Sequence, residues 1–181
     1  MYGVSFDVAD EVHGADFVLP IGKAKVEVQG EHVTIVAHSR PVGDAIEAAK
    51  ILKQQGISAE VINLRSIRPL DMPTVIERYA TFFFFFVLFL FFPCALNVCS
   101  NNNSVKKTNN LVTVEGGFPM FGVGSEIIAQ LIESEAFNYL DNPAVRITGA
   151  DIPMPYAKNL EDLSLPNTGK IVEVVKKLLR K

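Results

Sequence analysis

Arg65 and Arg68 stand three residues apart, just after the apolar run Ser58 to Leu64. Two guanidinium groups beside a helix start have the charge and the fork geometry to hold a phosphate or a carboxylate. The same pair could instead make salt bridges across a subunit boundary, with Glu115 as a partner. His38, Ser39 and Arg40 follow another apolar run and bring together a base and a hydroxyl, but no acid is placed beside them, so the case for a nucleophilic triad is weak and hydrogen-bonded loop structure is the simpler reading. The run Glu115-Gly-Gly-Phe-Pro-Met-Phe-Gly-Val-Gly124 lies between a strand and a helix, which is the setting of a phosphate loop. Its spacing matches neither G-x-G-x-x-G nor the Walker form, and it holds no lysine. Three readings remain open for it: a nucleotide loop, a structural turn with close helix packing, or an interface. The last follows from Phe118, Pro119, Met120 and Phe121, which would otherwise be an apolar loop in water.

Asp151-Ile-Pro-Met-Pro-Tyr156 is too rich in proline to continue a helix or strand, so an extended segment at the sheet edge is predicted. It either buries itself against the domain or contacts another subunit, with Tyr156 as an amphipathic anchor. His13 and His32 fall in linker and turn, no two histidines have ligand spacing, and a metal site is not expected. Cys94 and Cys99 both lie in an anomalous block, which leaves the rest of the chain without a thiol for a disulfide framework or a nucleophile. A net charge of −3 gives no general reason to expect nucleic-acid binding.

These residues need a scaffold, and the apolar periodicity supplies one. Val18 to Gly30 alternates loosely, as an antiparallel edge strand or a hairpin feeding the first core strand, His32 to Ala37. A turn at Ser39 to Gly43 leads to a helix over Asp44 to Gln55, with Ala45, Ile46, Ala48, Ala49, Ile51 and Leu52 inward and Gly56 as its C-terminal cap. Ser58 to Leu64 is the next strand, and Asp71 offers its carboxylate to the amides of the following helix. Leu111 to Val114 reads as a short buried strand, Ser125 to Glu135 as a helix with Ile127, Ile128 and Leu131 inward, and Val145 to Thr148 as the last strand. Lys170 to Leu179 closes the chain as an amphipathic helix with Ile171, Val174, Val175 and Leu178 on one face. Alternating strands and helices imply a mainly parallel sheet in three α/β/α layers, with an antiparallel edge strand. The whole is one domain over residues 18–181 behind a linker at 1–17, which shows neither a secretory signal nor an Arg-rich transit peptide.

Residues 78–103 break this pattern. Eight of the 13 phenylalanines lie there, five of them consecutive, and no period of 2 or 3.6 can be drawn through the run. Residues 79–99 are uncharged and long enough for a membrane span. A span here would divide the two halves of one sheet between opposite sides of a bilayer. Joining Glu77 to Ser104 instead gives one short helix leading into the next strand. Phenylalanine runs are what a pyrimidine-rich intron tract encodes, so the block reads as a translated in-frame intron, with a genuine insertion and a membrane anchor as alternatives.

Three segments, Asn63-Leu-Arg-Ser-Ile-Arg-Pro-Leu-Asp71, Leu111-Val-Thr-Val-Glu-Gly-Gly-Phe118 running into Gly122-Val-Gly-Ser-Glu126, and Gly149-Ala-Asp-Ile-Pro-Met-Pro-Tyr-Ala-Lys-Asn-Leu-Glu161, together resemble the C-terminal domain of pyruvate dehydrogenase E1 β subunits, in the transketolase group. The resemblance implies the transketolase C-terminal type of fold, a mitochondrial matrix location, and an α2β2 enzyme that decarboxylates pyruvate with thiamine diphosphate and Mg²⁺, then acetylates the lipoyl group of the E2 acyltransferase. In that group the cofactor-binding motif belongs to the α subunit and the activating glutamate to the N-terminal half of β. Neither segment is in this sequence, so no catalytic, cofactor-binding or metal residue is assigned, and the chain alone is expected to be inactive. Its expected partners are the E1 α subunit, a second β subunit and E2. Arg65, Arg68, Glu115, Phe118, Phe121, Asp151 and Tyr156 are the candidate interface residues. The alternatives are a stand-alone, non-catalytic interaction module and a membrane-tethered form.

Overall fold

The computed structural model describes residues 18–76 and 104–180; the linker expected at 1–17 and the block at 78–103 lie outside the described residues. Five strands form one sheet: β1 (Lys25–Val28), β2 (Val33–Ala37), β3 (Ala59–Asn63), β4 (Leu111–Val114) and β5 (Val145–Ile147), in the order β1-β3-β2-β4-β5. The central strands are short and rich in β-branched residues, and β2 and β4 are buried along their whole length, as strands covered on both faces must be. β2 runs parallel to β3 on one side and to β4 on the other, and β4 runs parallel to β5. The parallel sheet with an antiparallel edge is as the sequence implied.

The edge strand takes a different partner from the hairpin alternative. Both sides of β2 are occupied by parallel neighbours, so β1 pairs with the free side of β3, with an irregularity between Val26 and Val28. The connection from β2 to β3 is α1 (Pro41–Gln54), and that from β3 to β4 includes α2 (Met72–Ile76) and α3 (Ser104–Thr108). Between these crossovers the chain reverses its direction across the sheet, and right-handed connections then fall on opposite faces. Accordingly α1 packs on one face, against Ile35, Val61 and Val112, together with the closing helix α6 (Thr168–Leu178). On the other face Met72, Val75 and Val105 of α2 and α3 join Val36, Ile62 and Leu111, with Ile127 and Leu131 of α4 (Val123–Glu133).

Several boundaries move for local reasons. α1 begins at Pro41 rather than Asp44, because a proline with fixed φ and no N–H suits the first helical position. Its buried stripe is Ala45, Ala48, Ala49 and Leu52; Ile51 is exposed. Gly56 follows the helix at φ +77, the left-handed conformation of a C-terminal cap. α4 starts two residues early and ends at Glu133, where Ser134 opens a 3-10 helix over Glu135–Tyr139 by accepting a hydrogen bond from the Ala136 amide. α5 (Lys158–Ser164) has no counterpart in the sequence reading. Asp71 accepts hydrogen bonds from the Thr74 hydroxyl at 2.6 Å and the Ala24 amide at 2.9 Å, which joins the start of α2 to the approach to β1. Burial pushes its carboxyl up, but these bonds, with the charge of Lys23 and the Thr74 amide, outweigh that and hold the pKa below the ordinary 3.8. Among the described residues no helix is long and apolar enough to cross a membrane.

Candidate functional site

The carboxyl ends of β2, β3, β4 and β5 define one edge of the sheet, and every candidate residue singled out in the sequence follows one of those ends. Open α/β sheets bind ligands outside this edge, at the point where strand order reverses. Here the reversal lies between β2 and β4.

A cleft of about 270 Å³ opens at that reversal, lined by His38, Ser39, Arg40, Pro41, Asp44, Gly116, Gly117, Leu165 and Pro166. The first amides of α1 are already used: Val42 N–H donates to the Ser39 carbonyl, Gly43 N–H to the Arg40 carbonyl, and Pro41 has none to offer. Asp44 adds a negative charge in the first turn. The helix start is therefore a poor cradle for a phosphate, and no side-chain hydrogen bond joins His38 to Ser39 among the described residues. Among those residues no group of three or more His, Cys, Asp or Glu could hold a metal ion.

After β3, Arg65 adopts φ +58, with its amide donating to Asn63 Oδ1 at 3.1 Å. Arg65 and Arg68 are both exposed, and among the described residues neither guanidinium has an ion-pair partner. Glu115 is not the partner proposed for them. It is buried at the end of β4, and its Oε1 accepts a hydrogen bond from the Gly124 amide at 3.3 Å, inside the first turn of α4. A Cβ on Gly122 would come within 2.5 Å of the same oxygen, so the carboxylate reaches the helix start only because that position is glycine. The pattern of glycines after Glu115 is the sequence signal for this arrangement, although spacing alone cannot show which group fills the gap. The negative charge sits where the helix dipole favours it, and it occupies the place that a phosphate would take. This excludes the nucleotide-loop reading and leaves the structural turn and the interface.

The structural turn is held in place from β5 and the segment after it. Arg146 of β5, which the sequence analysis missed, donates through Nη1 to the Pro119 carbonyl and to Ser125 Oγ, and Gly149 N–H donates to the Gly117 carbonyl at 2.9 Å. The loop backbone is thus pinned while Phe118 and Met120 stand exposed and Phe121, at φ +56, is 98% exposed. The neighbouring segment from Asp151 onward is outside as well, with Ile152 and Met154 exposed and Tyr156 fully so. Burial of this segment against the domain, one of its two readings, does not occur. Proline at 153 and 155 keeps the chain extended, and although Met154 Sδ accepts a hydrogen bond from Ser164 Oγ at 3.4 Å, most of the segment's apolar surface stays outside.

Comparison with known proteins gives this edge a context. The family model described as "Transketolase, C-terminal domain" matches residues 22–82 and 93–171, omitting ten residues within the phenylalanine-rich block. The chain is 53% identical over 179 residues to the mitochondrial pyruvate dehydrogenase E1 component subunit beta of Bos taurus and 48% identical over 180 residues to that of Saccharomyces cerevisiae. These alignments cover 99% of this chain but only 43% and 42% of those proteins, so the chain spans less than half the length of the curated relatives it matches. Among solved structures, a split-gene transketolase described as an inactive beta4 tetramer superimposes with a TM-score of 0.64 at 24% identity, covering 94% of this chain and 46% of that one, which is a likeness of fold.

Proposed function

Given that the chain belongs to the transketolase C-terminal domain family, we propose that it is an assembly domain of the pyruvate dehydrogenase E1 β subunit, acting in mitochondria, whose work is subunit contact rather than chemistry. The observation that carries this is the exposed apolar side chains of Phe118, Met120, Phe121, Ile152, Met154 and Tyr156, with the loop backbone pinned, at the same carboxyl edge of the sheet as Arg65 and Arg68, which have no ion-pair partner among the described residues. Apolar surface of this kind on an ordered framework is what a subunit interface requires. Its occupant is a second β subunit, since a copy of the same chain returns the same apolar chemistry across a twofold axis. Asp151 and the two arginines supply the polar margin, where charges direct association more than they add affinity. In the assembled enzyme, contacts with the E1 α subunit and with E2 complete the set of partners.

Thiamine diphosphate and Mg²⁺ belong to that assembled enzyme. The described residues of this domain do not fit them, for the reasons given at the cleft: consumed helix amides, one acidic residue and no metal-binding group. The isolated chain accordingly turns over no pyruvate without an α subunit. Co-expression with the E1 α subunit and an intact β subunit, followed by capture through a tag on this chain, tests the assembly role. Recovery of E1 subunits with the chain supports it; a folded chain recovered alone contradicts it.

A further inference from the structure

The loop over residues 116–122 carries three large apolar side chains and buries none of them. A free loop of that composition would collapse onto its own domain to hide them. Polar contacts at three points prevent this. Glu115 holds the far end through the Gly124 amide, in space left by Gly122. Arg146 holds the middle through the Pro119 carbonyl, and its second bond to Ser125 Oγ ties that point to α4. Gly149 holds the near end through the Gly117 carbonyl. Phe121 is also fixed at positive φ, a conformation that a bulky residue keeps only when its surroundings impose it.

We infer that Glu115 and Arg146 form a clamp that preshapes this loop, with Phe121 as its projecting anchor, so that the subunit contact is organised before the partner arrives. This rests on the interface reading given above. The two residues are positioning residues: they act through the loop backbone. Ordering the loop in the free subunit removes an entropic cost that would otherwise fall on association.

The test uses the full chain and two separate readouts. Chymotrypsin cleavage at the Phe121–Gly122 bond, followed by mass spectrometry under limiting protease, reports how often the loop opens. Sedimentation velocity reports self-association. Arg146 is exposed, so Arg146→Ala should fold normally by circular dichroism; it is expected to raise the cleavage rate about tenfold and weaken self-association by about three- to tenfold. Glu115→Ala should do the same, whereas Glu115→Gln keeps an acceptor for the Gly124 amide and should restore most of the protection. Unchanged cleavage in Arg146→Ala, or equal cleavage in the Glu115→Ala and Glu115→Gln variants, overturns the clamp. Faster cleavage with unchanged self-association upholds the clamp but refutes the interface reading on which its purpose rests. Should Glu115→Ala fail to fold, Arg146→Ala alone decides.

Discussion

Ile35, Leu52 and Ile171 on the α1 and α6 face share their chemistry with Phe118, Phe121 and Tyr156 at the carboxyl edge of the sheet, yet the first three are wholly buried and the last three stand in solvent. Apolar surface in the interior stabilises the fold by leaving water. At the edge it has left nothing, so it adds nothing to the stability of the free domain. The same substitution should therefore read out in different experiments at the two places.

The largest effect is expected from a third body of apolar residues, the phenylalanine-rich block. The helices that flank it pack together, with Val75 and Val105 in one buried cluster. Removing residues 78–103 should leave far-ultraviolet circular dichroism characteristic of an α/β domain and greatly raise soluble yield, as lost aggregation-prone sequence would. A chain that fails to fold after the deletion would mean that the block contributes to the domain. Sequencing of the message should correspondingly join Glu77 to Ser104.

Within the core, Leu52→Ala should cost about 2–5 kcal/mol in denaturant unfolding, because it opens a cavity between α1 and the sheet. Thr113→Val should act in the opposite direction. The Thr113 hydroxyl is buried on the α4 side of the sheet and has no hydrogen-bond partner among the described residues, so an apolar isostere should stabilise by about 1 kcal/mol. Asp71 gives a pH signature. Its folded pKa lies below the ordinary 3.8, so the stability it contributes is present above that value and is lost as pH falls through the lowered pKa. Asp71→Asn should flatten that acid limb in pH-dependent thermal melts. Phe121→Ser is expected to change stability by less than about 0.5 kcal/mol, as a side chain that packs on nothing should.

Much of this was legible in the residues. The buried strands declared themselves through short β-branched runs, the closing helix through Ile171 and Val175 four residues apart, and the cap through Gly56. The partner of β1 was not legible, because local alternation does not say which edge of the sheet is free. Nor was Ile51, which meets the apolar period of its helix but lies beside the buried stripe. At the site, the segments singled out in the sequence all follow carboxyl ends of strands, and the structure gives one residue a different role. Glu115 followed by glycines suggested an acid for the arginines, whereas the glycines make room for that acid inside the helix start. Arg146 carried no signal, since its contacts are to a backbone carbonyl and a hydroxyl more than twenty residues away in the chain.

The exposed apolar edge is proposed to serve association. Sedimentation velocity over a range of concentrations, on the chain with residues 78–103 removed and on the same chain carrying Phe118→Ser, Phe121→Ser and Tyr156→Ser, tests it most directly. Reversible self-association is expected in the first and a monomer with unchanged circular dichroism in the second. Equal association in the two, with both folded, would contradict it.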